Sequence, residues 1–343
     1  MPTNNPEPGM QYAYCTANDG CTLALQTSRP LVPQDDKAGT RCILLLHGFS
    51  GSSAYFARNY AALSARHWVV APDMRGHGNS GRPRGGYHVA RLAADLRDII
   101  AHLRRAVRRR RRSQSQEDHH EDDDDDRDAI QFVPVGCSIG AAVLWTYVEL
   151  FGGSSSRDDF LSPRGFVFVD QAPLQDRSEF GDWNERKAHL GCYDEATTWA
   201  AQQAWVRRPD AAHRDLVRGC LGYRHAPEES DGMSAEQRRL DEELFVRISV
   251  QCDGVWLARL LADHTRYDHR EAIENIKLPT LVMAGRRTGC FPLEGMMETV
   301  RLVNKNRPGL AKLSLFDSGH WLFYEEPERF NKEILEFVDY CCQ

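Results

Sequence analysis

Phe132-Val133-Pro134-Val135-Gly136-Cys137-Ser138-Ile139-Gly140 joins a short apolar run to a helical pattern that continues to Phe151. Apolar runs of four to eight residues bounded by turn residues are the mark of strands buried on both faces. A G-x-S-x-G sequence set between such a strand and a helix forces a sharp backbone turn. The flanking glycines are needed there because side chains would collide with neighbouring backbone. The strain presents the Ser138 hydroxyl at the carboxyl edge of a sheet, where open α/β sheets bind ligands.

The same alternation extends outward in both directions. Continuous apolar runs at Cys42–Leu46, Trp68–Ala71, Gly165–Val169, Thr280–Ala284 and Leu313–Phe316 read as strands. Val89–Arg105, Ile139–Phe151 and Pro327–Tyr340 return apolar residues every three or four positions, as helices with one buried face do. Strand–helix–strand repetition predicts an α/β fold, with a mostly parallel central sheet covered by helices on both faces. Gln11–Thr16 and Thr22–Thr27 flank Asn18-Asp19-Gly20 and predict an antiparallel hairpin at the edge of that sheet.

Two segments break the pattern. From Arg104 to Asp128 an arginine run gives way to Ser113-Gln114-Ser115-Gln116 and then to an acidic block, which predicts a solvated, disordered charged loop over 104–128. Gln175–Asn275 separates two strands by about a hundred residues, far more than a crossover needs. Its helical, aromatic content (Trp183, Tyr193, Trp199, Trp205, Tyr223, Phe245, Trp256) predicts a helical lid over the strand ends. Residues 1–174 and 276–343 are accordingly read as one core, and 175–275 as an insertion.

Composition narrows the function. The chain has 343 residues, is 41% hydrophobic and carries a net charge of -6. That length suits one large domain with an insertion. The acidic balance lacks the basic footprint that nucleic acid selects, so a small-molecule substrate is the expected partner. Met1–Gly9 is polar, and no apolar run approaches a membrane span, so the expectation is no membrane association and a cytoplasmic location. The ten cysteines form no CxxC pair and no spaced Cys/His ligand set, which predicts reduced thiols and no metal site. Nothing in the sequence bears on oligomeric state.

A serine needs a base within hydrogen-bond reach. His320, in Asp317-Ser318-Gly319-His320-Trp321, falls between the last strand and the final helix and is the expected base. His47 and His77 lie in glycine-rich loops, and His119 and His120 in the charged segment. His47-Gly48-Phe49 follows the strand Cys42–Leu46, and the backbone N–H groups of Phe49 and Ile139 are the expected oxyanion hole.

These pieces, with Asp73-Met74-Arg75-Gly76-His77-Gly78-Asn79-Ser80 and Gly319-His320 ahead of Glu326-Pro327-Glu328-Arg329-Phe330, resemble the α/β-hydrolase superfamily. The likeness is to its serine esterase, lactonase and haloperoxidase-like members. The resemblance runs from Gln11 onward, apart from the charged loop and the insertion. It implies the α/β-hydrolase fold and a cofactor-free attack by Ser138 on the ester or lactone bond of a small apolar substrate. One position departs from the pattern. Such relatives usually carry the triad acid after the strand matching Thr280–Ala284, and here Thr288 stands where the carboxylate belongs. Asp170, at the end of the strand Gly165–Val169, is the expected substitute, with Asp263 and Asp268 as alternatives. If none serves, the weakened triad predicts a cofactor-free cyclase, a perhydrolase or a ligand sensor instead. An interaction protein working through the Arg and Asp runs is a further reading.

Overall fold

The computed structural model describes residues 5–31, 40–114, 130–152, 161–181, 192–225 and 232–343, with 108–114 traced as backbone only. Eight strands form one sheet in the order β1-β2-β4-β3-β5-β6-β7-β8. They are β1 (Gln11–Thr16), β2 (Thr22–Thr27), β3 (Thr40–Leu46), β4 (Trp68–Pro72), β5 (Ile130–Cys137), β6 (Phe166–Val169), β7 (Thr280–Gly285) and β8 (Ala311–Phe316). The hairpin β1–β2 is antiparallel and joins β4 antiparallel, while every pairing from β4 through β8 is parallel. Each apolar run singled out in the sequence is one of these strands, and β4 is buried along its whole length.

Helices cover both faces. They are α1 (Tyr60–Ser64), α2 (Val89–Gln114), α3 (Ile139–Phe151), α4 (Glu195–Arg207), α5 (Pro209–Cys220), α6 (Ala235–Ser249), α7 (Gly254–His264), α8 (Arg270–Glu274), α9 (Leu293–Asn304), α10 (Leu322–Glu325) and α11 (Pro327–Cys341). Two apolar layers result. One holds Leu44, Phe132, Leu96, Trp145 and Met296, and the other holds Ile43, Val135, Phe56, Phe323 and Ile334. Alternate residues of β3 and β5 go to opposite layers, as a strand's two-residue period requires.

The expectation of a disordered loop from Arg104 is corrected, because α2 continues through Gln114. Arginine is a good helix former, and the apolar stripe Ile99, Ile100, Leu103 persists to Val107, which packs on the core. Arg104 is itself buried. Its guanidinium lies 5.3 Å from the centre of the Phe132 ring and donates to the Leu161 carbonyl at 3.2 Å. The remainder of the charged segment, with His119 and His120, falls outside the described residues, as does Trp183.

The chain leaves β3 toward β4 on one side, then returns to β5 on the other. This reversal opens a crevice at the carboxyl ends of β3 and β5, the usual ligand position in open α/β sheets. The insertion between β6 and β7 supplies α4 to α8, with α4 packed on α7 and α5 on α6. No helix among the described residues is long and apolar enough to cross a membrane.

Candidate active site

Ser138 sits between β5 and α3 with φ 54° and ψ -126°, a left-handed conformation that a residue with a Cβ adopts at a cost of roughly 1–3 kcal/mol. Its neighbours hold it there. The Ser138 amide donates to the Val169 carbonyl at 2.9 Å, and its own carbonyl accepts from Ala141 N at 2.8 Å. The two flanking glycines are obligatory by contact. A Cβ on Gly136 would lie 2.6 Å from Ala141 N, and one on Gly140 would lie 2.6 Å from the Leu46 carbonyl. The loop after β3 crosses directly against the serine, since a Cβ on Gly48 would come within 3.2 Å of Ser138 Cβ and 3.8 Å of Oγ.

His47 locks that crossing loop. Its Nε2 accepts from Met74 N at 2.9 Å while Nδ1 lies 2.8 Å from the Gly48 carbonyl, an arrangement that needs the neutral imidazole. Burial accordingly pushes its pKa down to about 4. His77 is held through one ring nitrogen, with Nδ1 2.9 Å from the Arg75 carbonyl, and burial lowers its pKa to about 3. Both histidines are structural supports for the loops that flank Ser138.

His320 is buried on the β8–α10 loop, and its Nδ1 lies 2.6 Å from Asp170 Oδ2. Asp170 is fully buried just past β6 in a left-handed conformation of its own, φ 47°. Its amide donates to the Met283 carbonyl at 2.8 Å, its Oδ1 accepts from Gly285 N at 3.0 Å, and its Oδ2 also accepts from Thr288 Oγ1 at 2.8 Å. A carboxylate with this many donors is fixed in place. The two alternative acids are not brought to His320. Asp263 accepts from Val89 N at 2.8 Å and faces His88 Nδ1 at 3.1 Å, which caps the start of α2. Asp268 is paired with Arg270 at 2.5 Å.

His320 is also tied to the insertion. His320 N donates to the Cys220 carbonyl at 2.8 Å. The Glu325 carboxylate accepts from Gly222 N at 3.1 Å and from Gly319 N at 3.2 Å, bridging the end of α5 to the histidine loop. Burial raises the Glu325 pKa to about 7, partly opposed by these amide donors. Two cysteines crowd the imidazole. The Cys220 and Cys290 sulfurs lie 3.6 Å apart, and one ligand atom from each of Cys220, Cys290 and His320 lies within 4.8 Å of the other two. The hydrogen bond from Cys220, with His320 close by, draws the Cys290 pKa down. Burial alone would lower the His320 pKa, but Cys290 and Asp170 outweigh it and shift it upward.

Ser138 and His320 line one cavity of about 400 Å³ with Gly48 and Phe49 on its floor. Its far wall comes from the insertion, chiefly Tyr193, Trp205, Leu216 and Leu261. The Trp205 ring stands edge-on to Phe49 at 5.6 Å. His264 also faces the cavity, and its Nε2 accepts from Gln175 Nε2 at 2.9 Å, so it stays neutral with a pKa lowered by burial to about 3. Of the other insertion aromatics, Phe245 stacks on Trp321 at 3.9 Å, Trp256 packs edge-on to His77 at 5.4 Å, and Trp199 is exposed.

A family model described as the alpha/beta hydrolase family matches residues 43–333. The chain belongs to the alpha/beta hydrolase family. The first curated relatives it matches are uncharacterized mycobacterial proteins. One, Rv2715 of Mycobacterium tuberculosis (strain ATCC 25618 / H37Rv), is 43% identical over 61 residues, 18% of this chain and 18% of that protein, so the match spans about a fifth of its length. Epoxide hydrolase A of the same organism is 26% identical over 329 residues, covering 90% of this chain and 93% of the relative. Among solved structures, a bromoperoxidase from Bacillus anthracis aligns with a TM-score of 0.71 at 18% identity, over 96% of this chain and 100% of that one. An esterase from Exiguobacterium antarcticum aligns at 0.69 and 16% identity, over 96% and 100%.

Within this alpha/beta hydrolase, three features of the site went unread in the sequence. Thr288 marks the missing carboxylate in the sequence, yet its role as donor to Asp170 depends on β6 and β7 being neighbours. The Cys220–Cys290 pair joins the end of α5 to the loop after β7, seventy positions apart, so no local spacing reveals it. Glu325 carries no motif at all.

Proposed function

We propose that this protein is a serine hydrolase that cleaves the carboxylic ester or lactone bond of a small apolar molecule, with Ser138 as nucleophile, His320 as base and Asp170 as the third member. The observation that carries this reading is the 2.6 Å contact of Asp170 with His320 Nδ1, at a histidine that shares one cavity with the strained Ser138. Asp170 orients the imidazole and favours its charged form, so the other ring nitrogen is available to take the serine proton. Ser138 attacks the carbonyl, the leaving alcohol receives that proton, and water activated by the same imidazole releases the acyl group. The amides of Phe49 and Ile139, on the two loops that meet at Ser138, would receive the oxyanion, each worth roughly 3 kcal/mol of barrier.

The cavity size and its Trp205, Leu216 and Leu261 wall favour a compact apolar acyl or alcohol group, with the insertion acting as lid and specificity element. Ring opening through an alkyl-enzyme, the chemistry suggested by the epoxide hydrolase relative, requires a carboxylate nucleophile, and position 138 is serine. The reading of a weakened triad that cyclises, perhydrolyses or senses rested on Thr288, and the 2.6 Å contact of Asp170 with His320 favours hydrolysis over it.

The test combines a fluorophosphonate probe with a short p-nitrophenyl ester. Wild-type protein is expected to be labelled at Ser138 and to turn over the ester, and Ser138→Ala to do neither. Ester turnover by Ser138→Ala at the wild-type rate would overturn the assignment.

A further inference from the structure

We propose that Cys220, Cys290 and His320 form a binding site for a soft divalent cation of the zinc type, and that its occupation switches the hydrolase off. The switching half rests on His320 being the base, while the binding half stands without it.

The donor set is the first argument. Two thiols and an imidazole are ligands that zinc selects, and three protein ligands with an open fourth position is a common arrangement for it. The second argument is distance. A tetrahedral ion with Zn–S bonds of about 2.3 Å separates its sulfurs by roughly 3.8 Å, and the two sulfurs here stand 3.6 Å apart. A disulfide would need them near 2.05 Å. The third donor is within the same reach, since one ligand atom from each residue lies within 4.8 Å of the others.

The ligands are also fixed before any ion arrives. The end of α5, the loop after β7 and the loop after β8 carry them, and these segments are bonded to one another by His320 N to the Cys220 carbonyl at 2.8 Å and Gly289 N to the Gly219 carbonyl at 3.2 Å, while Cys290 N is fixed within its own loop by Thr288 Oγ1 at 3.1 Å. A histidine that binds a metal commonly gives its other ring nitrogen to a carboxylate, which sets tautomer and basicity. His320 has that partner in Asp170. All three ligands line the catalytic cavity, which gives the ion a path in and leaves its fourth position to solvent or substrate.

Binding forms two metal–sulfur bonds and one metal–nitrogen bond, breaks two S–H bonds and releases two protons to solvent, with no change of oxidation state. The ion's two positive charges balance the two thiolates, so the buried cluster is neutral. The imidazole nitrogen that would take the Ser138 proton is then occupied by metal.

Cobalt(II) is the probe, added to reduced full-length protein under anaerobic conditions. One equivalent is expected to produce thiolate-to-cobalt charge transfer and the visible bands of tetrahedral cobalt, with zinc displacing it. Asp170→Asn should weaken cobalt binding about tenfold or more, and Cys220→Ser/Cys290→Ser should lose the charge-transfer band while keeping a cooperative thermal melt. If the double variant does not fold, His320→Ala, expected to lose the tetrahedral bands, takes its place. No charge transfer in the wild type, or an unchanged spectrum in these ligand variants, overturns the site. Fluorophosphonate labelling is followed in parallel. Labelling that zinc fails to slow overturns the switch, whereas a cobalt spectrum without any labelling overturns the serine hydrolase reading and leaves the site standing.

Discussion

Thr288 donates its hydroxyl proton to the oxygen of Asp170 that faces His320, at 2.8 Å, so the residue standing where a carboxylate was expected supports a carboxylate brought from the neighbouring strand. The carboxylate that meets the imidazole thus comes from the end of β6, where the family pattern led one to expect it after β7. These strands are adjacent and parallel, with Val169 paired to Met283, so both positions open on the same imidazole.

That relationship makes the first prediction. Asp170→Asn should lower kcat for ester hydrolysis by about 10⁴-fold, because the amide cannot stabilise the imidazolium and favours the wrong tautomer. Thr288→Val, which keeps the shape and removes one donor, should lower kcat/KM only about tenfold. Combining Asp170→Asn with Thr288→Asp should recover at least tenfold over the single Asn variant by returning the acid to β7. Steady-state kinetics on the three variants reads all of this.

Gly48 makes the second. A methyl group there would press on Ser138 at 3.2 Å from Cβ, and a nucleophile displaced by a fraction of an ångström loses rate steeply. Gly48→Ala should lower kcat about 10- to 100-fold with little change in KM, and fluorophosphonate labelling should slow in proportion.

Cavity shape is tested at Trp205. Replacing it with alanine removes an aromatic wall that stands against Phe49. The ratio of kcat/KM for an octanoyl over an acetyl p-nitrophenyl ester should rise by at least about tenfold, which is what room for one further methylene supplies at about 1–3 kcal/mol of discrimination. An unchanged ratio would place the acyl group elsewhere.

Glu325 makes a stability prediction with a definite sign. Its carboxyl is raised by burial from 4.5 to about 7. Between those values the folded protein binds more protons than the unfolded chain, so stability falls as pH rises through the window and levels off above it. Thermal melts of the wild type from pH 5 to pH 8 should show that decline. Glu325→Gln, with no proton to lose, should flatten it.

Legibility in the sequence followed the range of the forces involved. Strands β3, β4, β5, β6 and β7 were readable because a strand buried on both faces is continuously apolar, as Cys42–Leu46 and Phe132–Val135 are, whereas the edge strand β8 was legible from Leu313–Phe316 although Leu313 is exposed. Ser138 was readable because the G-x-S-x-G pattern sits within five residues between a strand and a helix, even though only Gly136 is demanded by local contacts, and Gly140 by the Leu46 carbonyl of β3. Asp170 was legible only as one of several acids, because choosing it over Asp263 and Asp268 depends on which strand lies beside which. Arg104 was misjudged because charge composition hid a long side chain whose guanidinium covers Phe132 while the apolar stripe of α2 runs on beneath it. The cysteine pair and Glu325 were invisible, since each meets its partners only after three loops have converged.

The backbone bond from His320 to Cys220, together with the Glu325 bridge, fastens the insertion to the sheet at one corner. Shifting the insertion at that corner would break the bond to Cys220 and the Glu325 bridge together, so any displacement there is passed directly to the His320 imidazole, whereas Phe49 and Trp205 touch the same cavity only through ring edges.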